Sequence, residues 1–188
     1  AAEVLPLLVR HYNEPFADSS ALPTYYVSKM TRQHVTVALS GDGGDESFAG
    51  YDRYAHILRW SLADMAPGFA RQATCGAASA CLDALPYMNW LARVSRGLQM
   101  ISGTLNDRYS LEMTILKPQE RRALYSAKFQ SLMNSAMPGA QSPVVLPSLS
   151  REDALHWMMR HDQSFYLPDC LMVKSDIAAM ANSLEVRC

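Results

Sequence analysis

The sequence predicts an α/β fold that is mostly helical. Three observations predict it. The run Val35-Thr-Val-Ala-Leu39 is a short apolar strand, continuous apart from Thr36, as a buried parallel strand would be. It breaks at once into the acidic, glycine-rich turn Ser40-Gly-Asp-Gly-Gly-Asp-Glu46. Almost everything downstream carries helical patterning, and no other run is a convincing strand.

In chain order, Leu5 to His11 reads as helix. Asn13 to Ser20 is a loop, because Pro15 disfavours helix at Glu14. Ser19 or Ser20 then caps a helix through Tyr25, Tyr26 and Met30. After the strand and its turn, Glu46 to about Trp60 is helical with a break near Gly50. Met65-Ala-Pro-Gly68 punctuates the chain. Phe69 to Leu85 is alanine-rich helix, and Tyr87 to Ile101 is a helix with Trp90, Leu91, Val94 and Leu98 on one stripe. Asn106 to Leu116 and Pro118 to Tyr125 are short helices, and Met137 to Pro147 is a surface loop. Ser150-Arg-Glu-Asp153 is a capping box opening a helix through Leu155, Met158 and Met159. Leu167-Pro168 stops that helix, and Asp169 starts a last one that runs to about Asn182.

Composition narrows the function. The 188 residues suit one domain or a large piece of one. A hydrophobic share of 49% with 19% charged residues is that of an ordinary globular protein. The formal net charge of -1 gives no strong pull toward nucleic acid or an anionic membrane. No apolar run is long enough to span a bilayer, and the start has no signal-peptide pattern. Cys75, Cys81, Cys170 and Cys188 form no CxxC pair and have no histidine at zinc-ligand spacing, so free thiols in a reducing cytoplasm are expected. Both ends read as cut, so a fragment is expected.

Four constellations could carry chemistry. In the turn, Gly41, Gly43 and Gly44 allow positive φ and close approach to a ligand. Its backbone N–H groups can cradle an anion, and its carboxylates can hold a divalent cation that bridges phosphates. The plainer reading is a tight turn with solvated acids at a helix start. It is not a Walker A loop, because no Lys-Ser/Thr follows. Tyr51, Arg53 and Tyr54 are read as packing residues. Lys174 and Asp176 interrupt an apolar helix, where a lysine either snorkels to water or serves as a fixed positive charge in a cleft. Glu185 and Arg187 would pair and brace that helix end. In the loop Glu14 to Ser20, the hydroxyls either hold a phosphate or carboxylate or simply cap the next helix.

Taken in order, Glu14-Pro-Phe-x-Asp-Ser-Ser20, Leu39-Ser-Gly-Asp-Gly-Gly-Asp-Glu-x-Phe-x-Gly-Tyr51-x-Arg-Tyr54, Leu171-x-Val-Lys-x-Asp176 and Met180-Ala-Asn-Ser-Leu-Glu-Val-Arg187 resemble the synthetase domain of glutamine-dependent asparagine synthetases. The resemblance runs over residues 1–188, with the middle matching only as a helical region. It implies part of a parallel-sheet domain like the adenine-nucleotide α-hydrolases, with extra helices. It also implies ATP and Mg2+, a β-aspartyl-adenylate, and attack by glutamine-derived ammonia to give asparagine, AMP and pyrophosphate.

Carried over by position, Asp45 would ligate Mg2+. Asp42, where many members have Glu, would orient the intermediate or accept a proton. Leu39, Ser40, Gly41 and Gly43 would line the nucleotide. Lys174 and Asp176 fall where the family places a basic residue near the leaving group. Many members carry Arg or Lys directly after Asp176, and Ile177 stands there, leaving Lys174 as the candidate cation. The family's Ser-Gly-Gly-x-Asp-Ser pyrophosphate loop and its N-terminal glutaminase domain are not found. The expectation is therefore an asparagine synthetase portion that is inactive alone. A related amide- or lactam-forming ligase acting on another acid, and a non-catalytic helical interaction module, are the alternatives.

Overall fold

A computed structural model describes residues 3–83, 89–116, 123–136 and 150–188. The chain divides into two compact units, one of residues 1–51 with 156–188 and one of residues 52–155. The division falls within the helix Arg151–His161. The architecture is mostly helical with a small parallel sheet, consistent with the expected α/β class. Among the described residues no helix is long and apolar enough to cross a membrane.

The first unit is built on the helices Val4–Tyr12 and Ala21–Thr31, which pack with the C-terminal helix Val173–Met180. Leu8, Tyr12, Ala21, Tyr25 and Ala178 are buried together, and Phe16, Val173 and Ile177 close around them. Tyr12 and Phe16 stack with ring centroids 4.4 Å apart. The loop between the first two helices is tied by Asp18, whose Oδ1 accepts from the Ser20 backbone N–H at 2.8 Å and from Ser20 Oγ at 2.6 Å. Of the two expected caps, Ser19 and Ser20, the second helix has Ser20 at its N-cap position. Its hydroxyl instead donates to Asp18, and Ser20 makes no side-chain cap.

Strand β1, Val37–Leu39, pairs in parallel with β2, Glu185–Arg187, so that Ala38 faces Val186. Two expectations fail here. Strand β1 is not buried: Leu39 is 84% exposed, because β2 is its one described neighbour. The segment 185–187 is a second strand, where Val35–Leu39 alone is expected to be one. Its three residues alternate charged, apolar, charged, too short a run for periodicity to register. The expected ion pair does form, Arg187 Nη2 lying 2.7 Å from Glu185 Oε1. Residues two apart share a strand face, so the pair suits the strand.

Nor does Pro168 stop a helix. The helix Arg151–His161 runs into a π-helical stretch, Asp162–Met172, with Pro168 inside it, and then into Val173–Met180. Proline breaks an α-helix because its ring meets the preceding turn's carbonyl and it lacks an N–H. The wider π turn changes that spacing, and π segments often mark functional sites. At the start of this helix Ser150 Oγ accepts from the Asp153 N–H at 3.1 Å, one half of the expected capping box, and donates to Asp153 Oδ2 at 2.6 Å in place of the backbone N–H that the other half calls for.

The second unit joins the helices Asp52–Trp60, Asn89–Ser102 and Leu105–Met113. Tyr54, Ile57, Leu91, Met100 and Tyr109 are buried there. The expected stripe is corrected: Leu91 is buried, but Trp90 and Val94 are exposed, and Ser95 and Met100 turn inward. The guanidinium of Arg108 is fully buried and forks onto Asp64, with both N···O distances 2.8 Å, while its Nε donates to Met100 O. Arg71 reaches the same Asp64 at 2.9 Å. The alanine-rich stretch forms Gly68–Arg71, a π turn Gln72–Gly76 and Ala77–Asp83. The loop expected at 137–147 and most of the helix expected at 118–125 lie outside the described residues.

Candidate active site

The site is built where the parallel strands end. Strand β1 delivers Ser40, whose N–H donates to Arg187 O at 2.8 Å and so extends the ladder by one bond. The chain then turns sharply. Of the turn's three glycines, Gly43 alone has positive φ, at 87°, where it caps the short helix Gly44–Phe48; Gly41 and Gly44 do not need that freedom. Ser40 Oγ donates to Asp42 Oδ2 at 3.0 Å, and Ser175 Oγ, from the C-terminal helix, donates to the same oxygen at 2.7 Å. Two segments distant in sequence thus converge on one carboxylate.

These residues open onto a cavity of about 300 Å³. Its polar wall is Ser40, Asp42, Ser175 and Asp176. Its apolar wall includes Pro168 and Met172 from the π stretch, and Val186 from β2. A cleft at the carboxyl ends of parallel strands is the usual ligand position in open α/β sheets. The two carboxylates suit a ligand that presents donors or a positive group, while the apolar wall excludes water from one side.

Lys174 points elsewhere. Its Nζ lies 3.5 Å from Asp18 Oδ2. The Tyr12 hydroxyl donates to the Lys174 carbonyl at 3.1 Å. Burial pushes the Asp18 carboxyl up, but the two hydrogen bonds from Ser20 and the charge of Lys174 outweigh it and hold the group below its ordinary value. Burial, with the nearby Asp18 charge, raises Tyr12 to about 12. Burial also raises the Cys170 thiol, reinforced by Asp18 and opposed by Lys174, which makes it a poor nucleophile at neutral pH.

Asp45 stands exposed at the start of the helix Gly44–Phe48. Its side chain folds over Gly50, where an added Cβ would collide with the carboxylate. The Gly50 N–H donates to Asp45 O at 2.9 Å. Magnesium commonly binds through one or two carboxylates together with phosphate oxygens and water, so a single exposed carboxylate of this kind fits it. Among the described residues no group of three or more His, Cys, Asp or Glu could hold a metal by itself. Glu46, the third acid of the turn, is buried and accepts from the Tyr51 hydroxyl at 2.5 Å. It is a structural acid.

Of the residues singled out in the sequence, Ser40, Asp42 and Asp176 share the cavity. Leu39, Gly41, Gly43, Asp45 and Lys174 do not line it. Sequence reasoning passed over Ser175, although a hydroxyl between Lys174 and Asp176 in an apolar helix was a visible signal. It also passed over Pro168, Met172 and Val186, which carry no signal of their own.

A carboxylate-lined cleft at the ends of parallel strands, beside a π-helical stretch, is the kind of place where enzymes of the α/β class hold small molecules. The asparagine synthase family model matches residues 1–188, and the chain belongs to that family. It is 29% identical over 188 residues to the glutamine-hydrolysing asparagine synthetase 1 of Bacillus subtilis (strain 168), covering 97% of this chain and 27% of the relative. It is also 29% identical over 189 residues to a sequence assigned as a glutamine-hydrolysing asparagine synthetase in Mycobacterium tuberculosis (strain ATCC 25618 / H37Rv), covering 97% and 26%. A Methanocaldococcus jannaschii sequence assigned likewise is 52% identical over 60 residues. The chain spans about a quarter of the length of these first relatives. No solved structure matches it.

Proposed function

We propose that this chain is part of the synthetase region of an ATP-dependent, asparagine-forming ligase fed with ammonia from glutamine. Family membership supports the reaction class. The observation that carries the site is that Asp42, from the turn after β1, and Asp176, from the C-terminal helix, line one cavity. The parallel pair with its crossover through helices is compatible with an adenine-nucleotide α-hydrolase-like sheet, of which it would be a part.

In this reading the aspartate side-chain carboxylate attacks the α-phosphorus of ATP, pyrophosphate leaves, and ammonia then displaces AMP from the acyl carbon. Asp42 orients the acyl intermediate and accepts the proton that ammonia gives up. Asp176 lines the same cleft. The backbone of Leu39, Ser40, Gly41 and Gly43 borders the nucleotide, with positive φ at Gly43 turning the chain back on itself. Lys174 is the cation assigned to the leaving group, held by Asp18 until substrate competes for it. Asp45 would hold Mg2+, which when bound would neutralise phosphate charge.

Because the chain spans about a quarter of its relatives, the glutaminase and the pyrophosphate-binding loop would come from other parts of the protein, and residues 1–188 by themselves would not turn over. The test is pyrophosphate release by the complete gene product with ATP, Mg2+ and a panel of acids. Aspartate-dependent release with asparagine formed, lowered sharply but still measurable in Asp42→Asn, is expected. Release driven only by another acid would replace the substrate, and no acid-dependent release would overturn the ligase reading.

A further inference from the structure

We propose that Ser175 is a positioning residue for Asp42: it grips one carboxylate oxygen so that the other is presented to the cavity. The inference rests on the functional reading above and adds a residue to it.

An aspartate carboxylate turns readily about its last torsion, which is broad and roughly two-fold. Unless something distinguishes its oxygens, they exchange places. Here both hydroxyl donors meet the same atom. Ser175 Oγ lies 2.7 Å and Ser40 Oγ 3.0 Å from Asp42 Oδ2. Oδ1 accepts no hydrogen bond from a described residue. The two oxygens are therefore inequivalent, one held and one free, in a side chain that lines the cavity.

Ser175 sits within the first turn of the helix Val173–Met180. A serine inside a helix commonly turns its hydroxyl back to its own backbone. This one reaches across the fold to the turn after β1 instead. Its neighbours set the direction. Successive helix residues point about 100° apart. Lys174 is anchored to Asp18, and the Tyr12 hydroxyl holds the Lys174 carbonyl. With the helix locked against rotation on that side, the next residue is directed at Asp42. The Asp18 pair thus also sets the aim of Ser175.

The experiment uses the complete gene product and two substitutions of equal shape. Ser175→Thr keeps a hydroxyl, and Ser175→Val does not. Asparagine formation is measured with saturating ammonia, alongside melting temperature. Ser175→Val is expected to lower kcat about ten- to a hundredfold, the range that misplacement of a reacting group costs. The KM for ATP should move less than about twofold, because the nucleotide contacts are untouched. Ser175→Thr should keep most of kcat. In Asp42→Asn the added Ser175→Val should cost nothing further, since two residues acting as one unit are not additive.

A Ser175→Val enzyme with wild-type kcat overturns the inference, and so does a loss that multiplies onto Asp42→Asn. Should the valine variant not fold, Ser175→Ala is read the same way. Wild-type protein that forms no asparagine overturns the functional reading itself, and the Ser175 assignment with it. An active wild type with a fully active valine variant overturns the Ser175 assignment alone.

Discussion

The ammonium of Lys174 lies 3.5 Å from the carboxylate of Asp18, and the two side chains are only 14% and 23% exposed. The pair joins the loop before the second helix to the start of the C-terminal helix, so it bears on stability as well as on the site.

Asp18→Asn should therefore unfold more easily at neutral pH, by roughly 1–3 kcal/mol, because it leaves a largely buried ammonium without its counter-charge. The pH dependence has a definite sign. The folded Asp18 carboxyl is held below its ordinary 3.8, so its contribution is present above that value and lost as pH falls through the folded one. Urea titrations below about pH 4 should show the wild type losing an increment that Asp18→Asn lacks. Superimposable acid limbs would contradict this.

Tyr12 works at the other end of the scale. Its hydroxyl is raised from 10.0 to about 12, first by burial and then by the Asp18 charge. The folded form holds its proton longer than the unfolded chain. That stability is whole below the unfolded value and is lost as pH climbs from 10.0 to about 12. Tyr12→Phe should lose about 0.5–1.5 kcal/mol at neutral pH, with the bond to the Lys174 carbonyl, and should show a flatter alkaline limb in thermal melts.

Gly50 is the place where Asp45 folds back over the chain. Gly50→Ala should displace the Asp45 carboxylate and cost about 1–3 kcal/mol of stability through overpacking. If Asp45 holds the metal, isothermal titration of the complete protein should show weaker ATP binding in the presence of Mg2+, with little change in its absence. Equal losses in both titrations would detach Asp45 from the metal.

Arg108 is the buried charge of the second unit, and its fork onto Asp64 is bidentate. Lysine cannot reproduce that geometry. Arg108→Lys should lose roughly 2–4 kcal/mol in denaturant unfolding, since Asp64 keeps only Arg71 and the Met100 carbonyl loses its donor. A loss under about 0.5 kcal/mol, the level of a surface pair, would show that the burial is not sensed.

Motifs that are local in sequence were legible. The acidic turn, its position after a strand, the break near Gly50 and the Ser150 cap all depend on residues within a few positions of each other. The π stretch was not, because proline reads as a stop in any α-helical pattern. Strand β2 was not, because three residues make a strand only when a partner supplies hydrogen bonds, and Thr36 and Ser40 do so across the sheet. The three acids of the turn looked alike in sequence. In the fold Asp42 lines the cavity, Asp45 is exposed, and Glu46 is buried under Tyr51.

By itself the sequence determined the family, the mostly helical α/β class, and the acids and lysine on which the chemistry would rest. Only the tertiary structure decided which of them meet. It set Asp176 with Asp42 in one cavity, gave Lys174 to Asp18, and brought the unremarked Ser175 onto Asp42. The physical reason is the reach of each interaction. Turn chemistry and helix caps act over a few residues, whereas a hydrogen bond between Ser175 and Asp42 exists only after the strand pair and the helix core have closed.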